Sequence, residues 1–255
     1  MNEKWEEELH KPNKEKFIEC AKKTSFLYFL QNLNNMSADI EFRVPRENEY
    51  SEVLRAIFDY FLLRKFYFFR RKLFKFLTLD EPGLAAQKAY ENEYPESTKI
   101  RYLYFLQEGV SIIADQDSKI IGLVISSIIT RNMKEQVFAL ENQGHRNVLK
   151  VVNSVLDFEE FFAKNLEIDT VLDIMILGVD SACQGKKIGT RLIEESIKVG
   201  KTKGCQAVAL VATNPKTAKI AGNLKMNIFK TVQWEDYGFE HVMPCTPVQS
   251  FYKYL

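Results

Sequence analysis

The chain has 255 residues, of which 46% are hydrophobic and 27% charged, so it can bury a core and is not disordered as a whole. Its 35 basic residues nearly cancel 34 acidic ones, and the net charge of +1 disfavours a general nucleic-acid binder. No uncharged stretch approaches the roughly 18 residues that span a bilayer, and the first residues lack the pattern of a secretory signal. Four scattered cysteines without a C-x-x-C pair favour free thiols and a cytoplasmic location.

The first part of the chain differs in composition from the rest. Residues 1–37 are highly charged and carry only a thin apolar series, which is typical of an N-terminal extension that is partly helical or frayed. From Ile40 to Val44, apolar and charged residues alternate, which predicts an edge strand that ends at Pro45. We therefore expect an extension over residues 1–37 and one folded domain over residues 38–255.

Residues 50–78 carry the apolar stripe of a core-facing helix. The stripe repeats at intervals of four and three residues and consists of Leu62, Phe66, Phe69, Leu73 and Phe76. Several basic residues also lie in the segment 64–77, and a basic amphipathic helix can lie on an anionic membrane or meet a nucleic acid. The favoured interpretation is a core helix with a basic solvated face, because the rest of the chain supplies no matching basic surface.

Two β-rich runs and a helical segment occupy the middle of the chain. Val110–Ala114 and Ile120–Ile125 flank the turn-forming residues 115–118, which predicts an antiparallel hairpin. A polar stretch over residues 85–100 precedes the hairpin, and helical spacing returns over residues 147–165.

The last third of the chain alternates strands and helices. An apolar strand from Val171 to Val179 precedes a helix that runs to Val199, and a second strand, Ala207–Ala212, precedes a helix from about Lys216. Because neither strand alternates apolar and polar residues, we expect a parallel pair inside a sheet that is covered on both faces. The apolar run Val248–Leu255 is expected to close the sheet.

The segment between Val179 and Thr190 combines a strand end, a glycine-containing loop and a helix start. The first N–H groups of a helix have no internal partner and carry partial positive charge, so such an end binds phosphate readily. Gly185 lets the backbone pass close to a ligand, and Lys186 and Lys187 add positive charge. The spacing matches neither a Walker loop nor G-x-G-x-x-G, which disfavours those nucleotide-binding folds.

The loop sequence Gln184-Gly185-Lys186-Lys187-Ile188-Gly189 resembles motif A of the GNAT superfamily of N-acetyltransferases, whose pattern is Gln/Arg-x-x-Gly-x-Gly/Ala. Gln184 and Gly189 match this pattern, whereas Lys187 stands where the family usually has glycine. Four further segments look like the arylalkylamine (dopamine-type) N-acetyltransferases: residues 158–162, Ile168-Asp169, residues 177–181 and Asp80-Glu81-Pro82. The resemblance covers about residues 38–255.

The resemblance implies a GNAT-like α/β fold and acetyl-CoA as the co-substrate. The sheet of that fold is mixed and mostly antiparallel, with one parallel strand pair and helices on both faces. In the family, the loop N–H groups hold the cofactor's pyrophosphate, and we expect the strand before the loop to pair with the pantetheine arm as an added strand would. The cofactor-binding residues expected on this basis are Leu177, Val179, Gln184, Gly185, Lys186, Lys187, Ile188, Gly189, Thr190 and Asn214.

The resemblance also assigns catalytic residues. Glu81 matches the family's catalytic glutamate and is the expected general base, because an alkylamine with a pKa of about 10 must lose a proton before it attacks. A solvated carboxylate at a helix end is the alternative role for Glu81, with Asp80 as a substitute base. Ala221 falls where many relatives have a tyrosine that acts as the general acid. We therefore expect Thr213 and Thr217 to position the reacting groups instead, or to cap the helix.

The sequence therefore predicts direct acetyl transfer to a small primary amine in a ternary complex, with arylalkylamines as the class that the resemblance implies. The alternatives are a polyamine or peptide N-acetyltransferase, which would favour an acidic open groove, and an inactive acyl-CoA-binding module. Trp234 and Tyr237 could shape an amine pocket or belong to the core. Cys183 could form an acyl-enzyme, although no histidine lies near it in sequence. The histidines show no metal-ligand spacing, so no metal is expected.

Overall fold

The structure of the protein, a computed structural model, describes residues 39–57, 96–133, 143–239 and 247–255. The helices in these ranges are α1 (Tyr50–Ile57), α2 (Glu96–Gln107), α3 (Gln143–Val155), α4 (Phe158–Lys164), α5 (Ile188–Thr202) and α6 (Pro215–Asn223). The strands are β1 (Glu41–Arg43), β2 (Ile112–Gln116), β3 (Lys119–Thr130), β4 (Thr170–Val179), β5 (Ala207–Ala212), β6 (Asn227–Val232) and β7 (Val248–Tyr254). The predicted domain boundary at residues 37 and 38 and the basic helix over residues 64–77 lie outside the described residues and stay predictions.

The described strands form one mixed sheet in the order β1-β2-β3-β4-β5-β7-β6. β4 and β5 run parallel, and the other described strand pairs are antiparallel. The predicted hairpin is formed by β2 and β3, and Asp117 and Ser118 between them both have positive φ, as a type I′ hairpin turn requires. The sequence prediction of a mostly antiparallel sheet with one parallel pair is confirmed.

Helices cover both faces of the sheet. On one face, α5 and α6 pack through Leu192, Ile193 and Ala221 against a cluster that includes Leu172 of β4. On the other face, α1 and α2 pack against β2 and β3, while α3 and α4 pack against the β5 and β7 end of the sheet. None of the helices within the described ranges is long and apolar enough to cross a membrane.

A β-bulge in β4 prepares the site described below. Ile125 of β3 pairs with Ile176 and Ser126 pairs with Ile174, so Met175 is an extra residue on β4. A bulge bends its strand and changes the face on which the following side chains lie. Accordingly, Ile174 packs with α5, whereas Ile176 packs with α1 and α2. β4 pairs with β5 only as far as Ile174, and the two strands separate beyond that residue.

The helix predicted over residues 147–165 is two helices, and Asp157 explains the break. Asp157 has an extended backbone with φ −87° and ψ 113°, so α3 ends before it and α4 begins after it. Its side-chain Oδ1 accepts hydrogen bonds from the N–H groups of Glu159 at 2.9 Å and Glu160 at 3.1 Å. This is the geometry of a helix N-cap, and it outweighs the apolar spacing that continues across it.

Two described elements have no counterpart among the predicted ones. α2 begins inside the stretch interpreted as polar, and its apolar residues run consecutively from Tyr102 to Leu106 instead of forming a stripe. Among the described strands, β6 lies at the edge of the sheet beside β7 and leaves Ile228 exposed, so its sequence lacks the alternation of a half-buried strand. Both elements owe their structure to tertiary contacts more than to local pattern.

Candidate active site

The loop after β4 is held in place by Asp180. Its backbone N–H donates to the carbonyl oxygen of Ile121 at 2.8 Å, which ties the end of β4 to β3. Its side-chain Oδ1 accepts from the N–H of Ala182 at 3.0 Å, and Lys119 Nζ lies 3.2 Å from Oδ2. A 3-10 turn over Ser181–Cys183 follows. The loop is therefore ordered by local hydrogen bonds before it reaches α5.

Lys187 is the residue immediately before α5, and its backbone has φ 62° and ψ 13°. This is the left-handed region that glycine occupies without strain and other residues occupy rarely. The lysine thus adopts the backbone conformation that a glycine would supply at this position. The departure from the family pattern at Lys187 therefore changes the side chain but keeps the shape of the loop.

The backbone N–H groups of Gly185 through Thr190 have no hydrogen-bond acceptor within the described part of the chain. The Lys187 side chain does not cap α5, and residues 184–187 are exposed. α5 is 15 residues long, so its dipole adds partial positive charge at this end. The loop and the first turn of α5 thus have consecutive N–H donors that are available to an anion, and the binding of the cofactor's diphosphate there stays a prediction.

The loop also contacts the start of α6. Lys216 Nζ donates to Gln184 Oε1 at 3.2 Å, so the first residue of the motif is linked to the first turn of α6. Asn214 is the N-cap of α6, and its Oδ1 accepts from Thr217 N at 3.0 Å and from Thr217 Oγ1 at 3.3 Å. Asn214, predicted to bind the cofactor, therefore has a structural role within α6. The cap expected at Thr213 is formed one residue later.

A cavity of about 620 Å³ lies where β4 and β5 separate. Its lining includes Ile174 and Leu210, the last opposed residues of the two strands, and Leu177 beyond them. A Cβ atom at Gly189 in the first turn of α5 would lie 3.6 Å from Leu177, so the first turn of α5 abuts the cavity wall. From Met175 to Val179, no described strand pairs with the β5 side of β4. That edge is available to an extended ligand arm.

The cavity passes between the strands and reaches both faces of the sheet. On the face covered by α5 and α6 it is lined by Ile193 and Thr217, and the buried Thr213 lies at the end of β5. On the opposite face its lining comes from α2, β3, β4, α3 and the start of α4. The lining residues of that face include Arg101, Tyr104, Phe105, Ser127, Asp157, Phe158, Glu159 and Asp173. Thr213 and Thr217 therefore line the same cavity, and their predicted catalytic role stays a prediction.

Asp173 also lines the cavity and is not among the site residues predicted from the sequence. It lies on β4 opposite Ser127 of β3 and Ala209 of β5, one residue before the separation of the strands. Burial raises the pKa of its carboxyl group to about 7, the nearby positive charge of Arg101 opposes this rise, and the negative charge of Glu108 adds to it. A lone aspartate inside the apolar run 171–179 was the sequence signal that could have revealed it.

The remaining predicted residues fall into two groups. Glu81 and Asp80 lie outside the described residues, and their roles stay predictions. Trp234 belongs to the core, because it is 1% exposed and its ring lies 5.0 Å from that of Phe239, while Tyr237 is exposed. Neither aromatic residue lines the cavity. Cys183 is half-buried in the 3-10 turn and is also absent from the cavity lining.

Comparison with known proteins agrees with this geometry. A model of the acetyltransferase (GNAT) family matches residues 72–221, which is more than half of the chain. The chain therefore belongs to the GNAT family and is an N-acetyltransferase, as the resemblance of its loop indicated. The matched range contains Glu81, the loop before α5 and both threonines. No curated protein sequence matches the chain.

Solved structures share the fold at low sequence identity. Arylalkylamine N-acetyltransferase 2 from Aedes aegypti superimposes with a TM-score of 0.70 at 20% identity, covering 85% of this chain and 99% of that one. A Drosophila melanogaster polyamine N-acetyltransferase, which catalyses the formation of N-acetylagmatine, gives a TM-score of 0.66 at 18% identity, covering 85% and 100%. At this identity the likeness concerns the fold alone.

Proposed function

We propose that the protein transfers an acetyl group from acetyl-CoA directly to a small primary amine while both substrates are bound. The observation that carries this proposal is a continuous cavity that passes between β4 and β5 and reaches both faces of the sheet. One substrate can enter from the α5 side and the other from the α2 side, so that their reacting atoms meet between the strands. This geometry favours direct transfer over an acyl-enzyme on Cys183, which lies outside the cavity lining.

The cofactor is proposed to bind along β4 and the start of α5. Its diphosphate accepts hydrogen bonds from the N–H groups of residues 185–190, and Lys186 and Lys187 add positive charge. Its pantetheine arm lies along β4 at Leu177 and Val179, whose β5 side has no described strand partner. Gln184 keeps the loop attached to α6 through Lys216. This assignment uses the predicted residues except Asn214, whose side chain caps α6.

Glu81 is proposed as a general base, on the family resemblance. Deprotonating an ammonium group with a pKa of about 10 at neutral pH costs a free energy of roughly 4 kcal/mol. A carboxylate in contact with the ammonium group can reduce this cost. Thr213 and Thr217 lie at the cavity and are proposed to position the reacting groups. The Thr217 hydroxyl already donates to Asn214, so a positioning role suits it better than proton donation.

Arylalkylamines are the proposed acceptor class. Aromatic residues on the α2 side of the cavity, including Tyr104, Phe105 and Phe158, can stack on an aryl ring. The Aedes aegypti protein that shares the fold is an arylalkylamine N-acetyltransferase. One observation favours a polyamine instead. Asp157 and Glu159 are exposed at the cavity and carry negative charge that would attract a second cationic group.

Thiol release from acetyl-CoA across a panel of amines tests both proposals. We expect turnover with tyramine, dopamine or serotonin to exceed that with spermidine, agmatine or short peptides. The variant Glu159→Gln separates the two classes, since it should lower turnover of a polyamine several-fold and leave tyramine within twofold. Glu194→Gln, an equal change on the exposed face of α5, serves as the control. Thermal stabilisation by CoA without acetylation of any amine would instead identify an inactive acyl-CoA-binding module.

A further inference from the structure

Among the described residues that line the cavity, Arg101 is the one with a positively charged side chain. It lies on α2 and shares one face of that helix with Tyr104 and Phe105, three and four residues further on, which also line the cavity. The other charged lining residues are all acidic and are Asp157, Glu159 and Asp173. Because α2 covers the face of the sheet opposite α5, Arg101 lies on the side from which the acceptor amine is proposed to enter.

The guanidinium group of Arg101 lies partly out of solvent, against an aromatic ring. Its Cζ is 5.6 Å from the centre of the Phe105 ring, and its Nε is buried. Its positive charge opposes the rise that burial causes in the pKa of Asp173, so its field reaches the place where β4 and β5 separate. A charge held partly out of water is screened less than an exposed one. Arg101 therefore acts on a bound acceptor more strongly than an exposed charge at the same distance.

The acidic lining residues offset this positive charge only in part. Asp157 and Glu159 are exposed, so solvent screens their carboxylates. Asp157 Oδ1 also accepts hydrogen bonds from the N–H groups of Glu159 and Glu160 at the start of α4. Asp173 interacts with Arg101, so a cationic group that approaches this carboxylate also meets the guanidinium group. A second cation on an acceptor is therefore repelled at the α2 wall of the cavity.

We propose that Arg101 selects acceptors by the charge of the end remote from the reacting amine. It favours an acceptor whose remote end carries oxygen atoms or negative charge, and it rejects one whose remote end carries a second positive charge. The inference rests on the proposed function, since it names the acceptors of that same site. A guanidinium group has N–H donors and no acceptor, so it binds hydroxyl and carboxylate oxygens and repels ammonium groups. This chemistry favours hydroxylated or carboxylated arylalkylamines over polyamines.

The test uses three phenethylamines that differ only in a para substituent of nearly constant size and shape: a carboxylate, a carboxamide or an amidinium group. Thiol release from acetyl-CoA gives kcat/KM for each, and a probe that is not acetylated is measured as a competitive inhibitor of tyramine acetylation. For the wild type we expect kcat/KM to fall roughly tenfold from carboxylate to carboxamide and again from carboxamide to amidinium. Arg101→Gln should lower the ratio of carboxylate to amidinium by roughly 100-fold, because these two probes differ by two units of charge.

Further variants separate the charge of Arg101 from its packing. Arg101→Met keeps an aliphatic side chain against Phe105 and should change the ratio as Arg101→Gln does, whereas Arg101→Lys keeps the charge and should leave the ratio within about fivefold. The matched control is Lys99→Gln on the same helix, which removes a positive charge that pairs with Glu96 at 2.8 Å and does not line the cavity. Its ratio should stay within about twofold of the wild type.

A purely structural role of Arg101 would lower kcat/KM for the three probes equally and leave the ratio unchanged. Retained thermal stabilisation by CoA reports that each variant is folded. The inference would be overturned by the same ratio in the wild type, Arg101→Gln and Arg101→Met, or by a wild type that prefers the amidinium probe. Failure of the proposed function would appear differently, as no thiol release by the wild type with any amine.

Discussion

The two sides of the cavity between β4 and β5 are built from different groups. On the α5 side, the groups proposed to bind ligand are backbone N–H groups of consecutive residues, 185–190. On the α2 side, they are side chains from separate parts of the chain, with Arg101 on α2, Ser127 on β3, Glu159 on α4 and Asp173 on β4. The first site depends on backbone conformation, and the second depends on the identity of each side chain.

This difference has a consequence for substitutions. Lys187 replaces a glycine in the family pattern, and the loop keeps its shape because the lysine adopts a left-handed backbone. A site made of N–H groups therefore tolerates new side chains, provided that the backbone conformation survives. A site made of charged side chains that lie close together does not, since removing one carboxylate changes the protonation of its neighbours. The two sides should respond in different ways to substitution and to pH.

The largest expected effect is on stability at the α2 side. Asp173 has a pKa raised from 3.8 to about 7 in the folded protein, so the folded state holds this proton more tightly than the unfolded state does. Stability should therefore fall as pH rises from about 4 to about 7. Asp173→Asn removes this loss. At about 1.4 kcal/mol per pH unit, the variant should be more stable at pH 8, with a ceiling of about 4 kcal/mol.

Chemical denaturation of both proteins at a series of pH values measures this effect. Below about pH 4 the carboxyl group is protonated in both states, so the two free energies of unfolding should agree within about 1 kcal/mol. Parallel stability curves from pH 4 to pH 8 would contradict the raised pKa. A confirmed difference would mean that the α2 side sacrifices stability to keep a carboxylate in the cavity, as functional sites often do.

The next effect tests whether the α5 side acts through its backbone. Thr190→Pro removes one N–H donor in the first turn of α5, where a missing N–H breaks no helical hydrogen bond. Loss of a hydrogen bond to a charged diphosphate should weaken CoA binding by about 1.5–3 kcal/mol, or roughly 10- to 150-fold in Kd. Thr190→Ala keeps the donor and removes the side chain, so its Kd should stay within about threefold. Calorimetric titration with CoA measures both, and equal losses in the two variants would show that the side chain matters instead.

The same difference explains how much the sequence could predict. The strand, loop and helix around residues 179–190 are contiguous, so local pattern and resemblance locate the donor site. β5 was predicted with its observed bounds because its apolar run is short and flanked by turns. α2 and β6 were missed because their structure depends on partners distant in sequence. Asp157 ended a helix that the apolar spacing alone would have continued.

The residues that line the α2 side of the cavity could not be predicted from the sequence. Arg101, Glu108, Ser127 and Asp173 converge only because α2 packs on β3 and β3 pairs with β4. The bulge at Met175, which redirects the strand beyond Asp173, leaves no mark in the apolar pattern because residues 174–177 are all apolar. The resemblance supplied Glu81 as a base, and it supplied nothing for Asp173.

The smallest expected effect is at Lys187, where side chain and backbone can be tested separately. A left-handed conformation costs a non-glycine residue about 1–2 kcal/mol, and glycine loses about 0.5–1 kcal/mol through its greater unfolded-state freedom. Lys187→Gly should therefore stabilise the protein by up to about 1 kcal/mol. Lys186→Gly removes the same charge at a residue without positive φ, and should destabilise the protein by about 0.5–1 kcal/mol.

Both variants should weaken CoA binding by less than about fivefold, in a salt-dependent way, because both charges are exposed. Denaturation curves that move in the same direction for the two variants would contradict the role given to the Lys187 backbone, and a loss of CoA binding much above fivefold would mean that this side of the cavity also depends on its side chains.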